Sequence, residues 1–384
     1  MTDPEIIRKK FRQIFNEEPL LFCSPGRVNL IGEHTDYNNG FVLPAAIDND
    51  ILFGITPRND NKISIFSNDF NEELNLEIIN IQNSEKSWAN YLIGVVDQLI
   101  KSGKKIKGFN CVFGGDIPIG AGLSSSAAIE AGLTFALNHI YELSIGNLEI
   151  VKLAQKAENE FVGVQCGIMD QFINIFGKEN HVLKLDCRSL MYEYVPFNSV
   201  SYKVVLFDSR VKHSLASTEY NSRRKQCEEG VRILRKHIPG IESLRDVRKE
   251  QLFEYQKHFD NIIFDRCLYV IEENERVGKA CEALKGNNFE TFGLQMIYSH
   301  EGLRDKYEVS CRELDYLVEA ATVQQGVLGS RMMGGGFGGC TINLIKNDYV
   351  KDVSQIISEE YRITFGEKPG VYICKIVDGT GLVK

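Results

Sequence analysis

Four ionisable side chains, Arg27, Glu33, His34 and Asp36, stand close together in the segment GRVNLIGEHTDYNNGFVLP. They lie among turn-forming Asn and Gly residues and are flanked by two apolar stretches. Carboxylate and imidazole groups form directional hydrogen bonds with polar ligands, and an arginine stabilises a nearby anion. The segment is therefore either a solvated loop or the floor of a binding site, and its residues alone leave both interpretations open.

A loop rich in glycine and serine, GGDIPIGAGLSSSAAIEAG, follows a predicted strand and leads into an apolar helix. Gly120 and Gly122 would let the backbone approach a ligand closely, and the first turn of the helix offers unpaired N–H groups that attract anions. Phosphate binding competes here with simple capping of the helix by serine, which is the more common role of a single Gly-Ser stretch. Three successive serines exceed what a cap requires. The loop lacks the lysine of a Walker A motif.

Two carboxylates follow this loop. Asp170 is the one acidic residue of the largely apolar segment GVQCGIMDQFINIFG, and Glu158 lies on a predicted helix twelve positions earlier. Asp170 either caps a helix that begins at Gln171 or lies in a pocket as a base, and capping is the more common role. If Arg27 lay beside it, the guanidinium would stabilise the ionised carboxylate and keep it ready to accept a proton. Glu158 could be ordinary surface charge.

A glycine cluster, RMMGGGFGGCTINLI, stands near the end of the chain. Gly334, Gly336 and Gly339 have the GxGxxG spacing of dinucleotide-binding proteins, but that motif requires a helix afterwards, whereas CTINLI favours a strand. A tight turn and a backbone surface that covers a phosphate are both compatible with the cluster.

The composition is that of an ordinary globular protein. The 384 residues, 43% hydrophobic and 25% charged, predict two domains. A net charge of -8 argues against a nucleic-acid partner, and the apolar stretches are too short for a membrane span or a signal peptide. Ten cysteines without a CxxC pair favour free thiols, so we expect a cytoplasmic protein. Seven histidines show no zinc-site spacing.

The candidate residues are carried by a mixed series of elements. A short amphipathic helix opens the chain, antiparallel strands follow over residues 21–67, and WANYLIGVVDQLIKSG is predicted to be helical. Further helices are predicted from Asn147 to about Phe161 and from Asp170 onward. The second half is expected to begin with strands, continue through a helical middle over residues 218–287, and finish in strands around the glycine cluster.

In this order, the motifs resemble those of the galactokinase family, within the GHMP superfamily of small-molecule kinases. The resemblance rests on GRVNLIGEHTDYNNGFVLP, PIGAGLSSSAA, GIMDQF and RMMGGGFGGC, with WANYLIGV and VKHSLASTEYNSRRKQCE in addition, and covers nearly the whole chain. The run GEHTDYN is the sugar-binding signature of that family. One position departs from the family pattern, because Met333 stands where threonine is common, which puts a hydroxyl contact there in doubt.

The resemblance implies an α/β (α+β) protein of two domains with the active site in the cleft between them. Residues 1–178 would form a ribosomal-protein-S5-like domain with the sugar signature and phosphate loop, and residues 179–384 a C-terminal GHMP domain with the glycine-rich motif. The implied reaction transfers the γ-phosphate of ATP, with Mg²⁺, to the anomeric hydroxyl of α-D-galactose. A monomer is expected. The alternatives are a kinase for N-acetylgalactosamine or arabinose, or a galactose sensor without catalysis.

The resemblance also assigns roles to individual residues. Asp170 would take or orient the proton of the C1 hydroxyl, and Arg27 would keep Asp170 ionised and stabilise charge on the transferred group. The implied sugar-binding residues are Glu33, His34, Thr35, Asp36, Gly167, Asp170 and Tyr220. The implied ATP-binding residues are Gly120, Ala121, Gly122, Leu123, Ser124, Ser125 and Ser126, with Trp88 and Tyr91 lining either the adenine pocket or the core. Ser126 and Glu158 would be the Mg²⁺ ligands.

Overall fold

The computed structural model describes residues 2–118, 120–197, 200–211 and 216–383. Residues 212–215, within the segment VKHSLASTEYNSRRKQCE, lie outside the described residues. The α-helices are α1 Pro4–Phe15, α2 Ser87–Lys101, α3 Ser125–Ile140, α4 Asn147–Lys156, α5 Met169–Phe176, α6 Ala216–Leu234, α7 Lys249–Glu254, α8 Asn261–Lys285, α9 Phe289–Asp305, α10 Arg312–Thr322 and α11 Val350–Phe365. The strands are β1 Leu20–Asn29, β2 Phe41–Val42, β3 Pro44–Pro57, β4 Lys62–Ser67, β5 Glu72–Glu77, β6 Phe109–Gly115, β7 His181–Asp186, β8 Tyr192–Pro196, β9 Tyr202–Asp208, β10 Val327–Met332, β11 Cys340–Lys346, β12 Gly370–Cys374 and β13 Gly381–Leu382.

The opening helix α1 forms for the reasons that its sequence gives. Asp3 accepts a hydrogen bond from the Glu5 backbone N–H at the N-cap, and Pro4 occupies the first helical position. Ile7 and Phe11, one turn apart, are fully buried against the first sheet. The predicted amphipathic helix is confirmed.

Three sheets make up the β structure. A six-stranded sheet has the order β13-β1-β3-β6-β4-β5, a four-stranded sheet the order β10-β11-β9-β12, and a three-stranded sheet the order β2-β7-β8. Among the described residues, the strand pairs are antiparallel except β4 with β6. The antiparallel sheet predicted for residues 21–67 is thus confirmed for β1 and β3.

Strands from the two halves of the chain pair with each other. β13 returns from the end of the chain to pair with β1, and β7, after residue 178, pairs with β2. A division at residue 178 therefore stays a prediction, because two of the three sheets contain strands from both sides of it.

The apolar helix α3 lies at the centre of the first half, as the sequence predicts. It contacts β1, β3 and the helices α2, α4 and α5, and most of its side chains are buried. Such all-round burial fits a helix that is apolar on nearly every face. Its N-terminal end is thereby fixed against the end of β1, where the candidate residues converge.

The helical content of the second half exceeds the prediction. Helices α9, α10 and α11 follow the predicted helical middle, and α11 falls where only strands were expected. Val350, Val353, Ile357 and Tyr361 are buried along α11 at the three- and four-residue spacing of a helix. The prediction was wrong for α11 because the β-branched residues near the glycine cluster favour a strand, and that preference was extended to the rest of the segment. Only β10 and β11 flank the cluster.

An irregular turn replaces the end of the helix predicted for residues 147–161. The α-helix α4 ends at Lys156 and continues as a π-helical turn, Ala157–Val162, which Gly163 terminates with a φ of +91°. Such turns re-aim side chains and often occur at functional sites. Here the turn carries Glu158.

No helix within the described ranges is both long and apolar enough to cross a lipid bilayer.

Candidate active site

Two cavities meet beside the N-terminal end of α3. The first cavity has a volume of about 410 Å³ and is lined by the first motif, the turn before α5 and the start of α6. The second cavity has a volume of about 460 Å³ and is lined by the glycine–serine loop, α2 and the β4–β5 turn. Arg27, Gly334 and Gly335 line both cavities. The arginine of the first motif and two glycines of the third therefore mark the junction.

The carboxylate of Asp170 is held at this junction. Arg27, at the end of β1, donates from Nε to Asp170 Oδ1 at 2.8 Å and from Nη2 to Oδ2 at 2.9 Å, a bidentate ion pair. The Ser124 hydroxyl also donates to Asp170 Oδ2. Arg27 is almost completely buried, whereas about a quarter of the Asp170 side chain is exposed to the cavity. The carboxylate is thus fixed in orientation and still open to a ligand.

These contacts overturn two capping interpretations. Helix α5 begins at Met169, so Asp170 lies in its first turn, and its side chain bonds to Arg27 rather than capping the helix. Ser124 is the N-cap residue of α3 but makes no side-chain capping bond, and its left-handed φ of +57° accompanies a hydroxyl that bonds to Asp170. Neither side chain caps its helix, because Arg27 gives Asp170 a stronger, charge-assisted partner and Asp170 in turn accepts the hydrogen bond of the Ser124 hydroxyl.

Glu33 lies on the floor of the first cavity and joins the first motif to the third. Its Oε1 accepts from Arg331 Nη2 at 3.0 Å and from the Gly334 backbone N–H at 2.9 Å. Arg331 is fully buried and also donates to the carbonyls of Asn29 and Leu30, where β1 ends. One buried guanidinium therefore aligns the turn that carries Glu33.

His34 adopts a left-handed φ of +60° and is held by two tyrosines. Its Nδ1 lies 2.8 Å from the Tyr37 hydroxyl, which in turn lies 2.8 Å from the Tyr307 hydroxyl. Burial, together with the nearby positive charge of Arg223, lowers the pKa of His34 to about 3. The imidazole is therefore neutral at physiological pH. The Tyr220 ring packs against it with ring centroids 5.3 Å apart.

Asp36 and Gly167 face each other across the first cavity. A Cβ atom on Gly167 would lie 1.7 Å from Asp36 Oδ2, so only glycine fits beside the carboxylate. Burial raises the pKa of Asp36 to about 7, and the negative charges of Asp170 and Glu33 add to the shift. Several acidic groups around one small cavity suit a ligand that carries many hydroxyl donors.

The second cavity combines a flexible backbone with aromatic rings. Gly120 and Gly122 have φ values of +81° and +76°, which a residue with a side chain rarely adopts. The Trp88 indole N–H donates to Glu72 Oε2 at 2.9 Å, and its ring stacks on Phe70 with centroids 6.4 Å apart. Other residues along the cavity wall are Tyr91, Phe113, Leu123, Ser124, Ser125, Ser126 and Ile129. The aromatic rings lie on one side of the glycine–serine loop, and the loop itself carries the three serines.

A buried acidic pair lies behind the serines. Glu158 accepts a hydrogen bond from Gln171 Nε2 at 2.7 Å and a weaker one from Cys166 Sγ at 3.3 Å, and the Ser126 hydroxyl interacts with it as well. Glu130 on α3 is fully buried beside it, and burial raises the pKa of both carboxyls, that of Glu130 well above its ordinary value. Over the part of the chain that the structure describes, no three His, Cys, Asp or Glu side chains gather in a group that could hold a metal ion by itself.

Family models match three parts of the chain. The galactokinase galactose-binding signature matches residues 9–57, the N-terminal domain of GHMP kinases residues 90–178, and their C-terminal domain residues 271–363. The chain is 41% identical to the galactokinase of Roseiflexus sp. RS-1 over 100% of this chain and 98% of that one. It is 42% identical to the galactokinase of Fusobacterium nucleatum over 99% and 100% of the two chains.

The chain belongs to the galactokinase family. A crystal structure of Lactococcus lactis galactokinase in complex with galactose superposes with a TM-score of 0.95, at 34% identity over 98% of both chains. The two-domain GHMP kinase fold and the class of enzyme predicted from the sequence, an ATP-dependent kinase, are confirmed by these matches.

Most residues that the galactokinase motifs singled out line one of the two cavities, but two do not. The Thr35 hydroxyl lies 2.8 Å from the Gly32 carbonyl and 2.6 Å from that of Phe41, closing the turn behind the first cavity. Ala121 is buried beneath the glycine–serine loop. Both residues shape the walls, and the expectation of direct ligand contact does not fit their positions.

Met333, the departure from the galactokinase pattern, is buried in the main hydrophobic core. Its backbone N–H donates to the Cys340 carbonyl at 2.9 Å, and its side chain lines neither cavity. The missing hydroxyl therefore leaves the cavity walls unchanged.

Several residues of the site were not identified from the sequence. Gln171 directly follows Asp170 in GIMDQF and Arg331 opens RMMGGGFGGC, and their places in these motifs could have marked both. Asp69 and Phe70 line the second cavity from the β4–β5 turn, and nothing in NDFN distinguishes it from an ordinary turn.

Proposed function

We propose that this protein transfers the γ-phosphoryl group of ATP to the anomeric C1 hydroxyl of α-D-galactose, giving galactose 1-phosphate and ADP. The observation that carries the proposal is the position of the Arg27–Asp170 ion pair, where the polar first cavity meets the loop-lined second cavity. A sugar in the first cavity and a nucleotide in the second would present the hydroxyl and the γ-phosphate to each other at this pair.

Asp170 accepts the proton of the C1 hydroxyl as the oxygen bonds to the γ-phosphorus, while the bond from that phosphorus to the bridging oxygen breaks and ADP leaves. Arg27 holds the carboxylate through two hydrogen bonds and is adjacent to the junction, where it stabilises negative charge on the transferred group. Positioning and charge stabilisation account for most of the catalysis of phosphoryl transfer, so a rigid ion pair suits the task.

The sugar-binding residues that we propose are Glu33, His34, Asp36, Gly167, Asp170 and Tyr220, all of which line the first cavity. The carboxylates accept hydrogen bonds from sugar hydroxyls in fixed directions. A sugar of different stereochemistry leaves a buried polar group unpaired, which costs about 1–3 kcal/mol for each lost partner. Such a cavity can separate galactose from its epimers.

ATP binds in the second cavity in this proposal. The loop from Gly120 to Ser126 and the N-terminal end of α3 receive the phosphates, because unpaired backbone N–H groups and the helix dipole favour anions there. Trp88 and Tyr91 receive the adenine. Trp88 belongs to the hydrophobic core as well as to the cavity wall, so the two interpretations of this residue are compatible.

Mg²⁺ accompanies ATP, and the residues present fit it. Ser126 and Glu158 offer oxygen donors, which Mg²⁺ prefers, and two protein donors suffice because phosphates and water complete its octahedral shell. Burial raises the pKa of Glu158, and a bound cation would favour the ionised form of this carboxyl. When bound, Mg²⁺ neutralises charge on the β- and γ-phosphates.

We further propose a monomer that acts in the cytoplasm, with domains dividing near residue 178. The ten cysteines are all free thiols, which suits a reducing compartment.

The deciding experiment measures ADP release with Mg-ATP against galactose, glucose, N-acetylgalactosamine, arabinose and mevalonate. We expect turnover on galactose and a loss of about 10²- to 10⁴-fold in kcat for Asp170→Asn, because the variant lacks the proton acceptor. The circular dichroism spectrum of the variant serves as the folding control, because Asp170 is itself a proposed sugar-binding residue. Turnover on another sugar would reassign the substrate, and binding without turnover by the native chain would make it a galactose sensor.

A further inference from the structure

Two serine–carboxylate pairs lie side by side at the start of α3. Ser124 donates a hydrogen bond to Asp170, and the Ser126 hydroxyl, two residues later, interacts with Glu158. The two carboxylates come from different elements, α5 and the π-helical turn Ala157–Val162. Arg27 also holds Asp170 through two hydrogen bonds, whereas Glu158 accepts a weak one from Cys166 Sγ at 3.3 Å, so Glu158 needs a stronger donor to fix its position.

Gln171 supplies that donor. It follows Asp170 directly on α5, and consecutive helical residues point about 100° apart, so one turn can direct the two side chains to different partners. Gln171 Nε2 donates to Glu158 Oε2 at 2.7 Å and lies 3.4 Å from Glu130 Oε2. The chain of contacts from Asp170 through Gln171, Glu158 and the serines thus closes into a ring.

The burial of this ring makes the amide contact important. Gln171 and Glu130 are fully buried and Glu158 nearly so. Gln171 Oε1 and Glu130 Oε1 are buried and have no hydrogen-bond partner among the residues that the structure describes. A buried carboxylate that loses its donor bears the full cost of desolvation or moves toward another partner. The Glu158 backbone is itself fixed, because its carbonyl accepts from the N–H groups of Gly163 and Val164, so such a movement would be a change of the side-chain rotamer.

We propose that Gln171 is a positioning residue that holds the Glu158 carboxylate at the metal site and fixes its distance from Asp170. This inference rests on the proposed function, in which Glu158 binds the Mg²⁺ that accompanies ATP. Residues that orient metal ligands commonly contribute about tenfold to 100-fold to metal affinity, so the amide is expected to act at that level.

The test uses Mn²⁺ as a paramagnetic probe of the full-length protein with ADP and without galactose. Gln171→Met keeps the length of the side chain but removes the donor, and Gln171→Asn keeps an amide that is too short to reach Glu158. We expect the Mn²⁺ dissociation constant, measured by electron paramagnetic resonance, to rise about tenfold to 100-fold in both variants. The galactose dissociation constant, measured by calorimetry, should stay within about twofold.

The chain provides a matched control. Gln98 on α2 is also buried, and its Nε2 donates to Glu160 Oε2 at 3.0 Å and to Asp97 Oδ2 at 3.3 Å. Glu160 lies on the same π-helical turn as Glu158 but lines neither cavity, so this variant disturbs the turn without touching the Glu158 carboxylate. Gln98→Met should leave the Mn²⁺ affinity unchanged.

The outcomes separate this inference from the proposed function. Unchanged Mn²⁺ affinity in folded Gln171 variants would overturn the positioning role while leaving the kinase proposal intact. Loss of folding in both variants would overturn it too, because Gln171 would then be a core residue. A native protein that turns over galactose but binds no Mn²⁺ with ADP would remove Glu158 from the metal site, and the inference with it.

Discussion

The walls of the two cavities are formed by different kinds of chemical group. In the first cavity, side chains from distant parts of the chain hold one another, as in the pairs Arg27–Asp170 and Arg331–Glu33. In the second cavity, stacked rings such as Phe70 and Trp88 face a loop whose backbone makes much of the surface. The first cavity is walled mainly by ionisable side chains that hold one another, whereas the second is walled by aromatic rings and the glycine–serine loop.

This difference predicts different kinds of selectivity. A wall of hydrogen-bonding groups rejects a ligand that leaves a buried group unpaired, whereas a wall of aromatic rings discriminates only weakly between ligand rings of similar size. We therefore expect changes in the first cavity to have large and specific effects on galactose, and changes in the second to have small effects on ATP.

Among substitutions that leave the Arg27–Asp170 pair intact, Gly167→Ala should have the largest effect. The new Cβ atom would lie 1.7 Å from Asp36 Oδ2, so the carboxylate must move. Forced shifts of this kind cost about 1–3 kcal/mol, and we expect the galactose KM to rise about 100-fold while the ATP KM stays within about twofold. Steady-state kinetics with each substrate varied in turn measures both values.

Gly146→Ala is the matched control. Gly146 is the N-cap residue of α4, has a φ of -73°, and a Cβ atom there would meet nothing within 4 Å. Its KM values should equal those of the native protein. If Gly167→Ala raised both KM values equally, the first cavity would not be a separate sugar site.

Local patterns predicted much of the fold. The spacing of Ile7 and Phe11 marked α1, and the uniform apolar character of α3 indicated its burial. The same kind of pattern, at Val350, Val353 and Ile357, marked α11 but was outweighed by the strand-like residues before it. Pairing across the chain was beyond such patterns, because nothing local to Gly381–Leu382 indicates that it joins β1.

Residues of the site could be predicted where they lie in a recognisable motif. They could not be predicted where a contact between distant parts of the chain decides what a residue does. The sequence indicated that Asp170 could be a helix cap or a base. Only its contact with Arg27, which lies 143 positions earlier in the chain, decides between these roles. Arg331 reaches Glu33 across 298 positions. Spacing along the chain has no information about such contacts, so the role of Arg331 could not be predicted from its motif.

Asp36→Asn tests the charge of the first cavity at a single atom. Burial raises the pKa of Asp36 to about 7, so the native carboxylate is protonated below that pH and loses its capacity to accept two hydroxyl donors. We expect the native galactose KM to be constant above about pH 8 and to rise as the pH falls below 7. The variant should have a KM about tenfold higher at pH 8 and little pH dependence between 6 and 8.

The same shift has a consequence for stability. A carboxyl whose pKa is higher in the folded than in the unfolded protein favours folding at low pH, and that contribution is lost as the pH rises through the folded value of about 7. Asp36→Asn should therefore raise the melting temperature of the ligand-free protein more at pH 8 than at pH 5. Equal gains at both pH values would mean that the Asp36 carboxyl titrates normally.

Trp88→Phe is expected to have the smallest effect on the kinetics. A small effect is what the difference between the two cavity walls predicts for a residue of the second cavity. The smaller ring keeps a stacking surface toward Phe70 but loses the hydrogen bond to Glu72 and part of the contact area in the second cavity. The ATP KM should rise about threefold and the galactose KM should not change. Tyr194→Phe, which removes a hydroxyl bonded to the Phe176 carbonyl away from both cavities, is the control. A rise of more than about 30-fold in the ATP KM would show that the nucleotide depends on the indole as strictly as the sugar depends on its hydrogen-bonded wall, and the contrast between the two cavities would then fail.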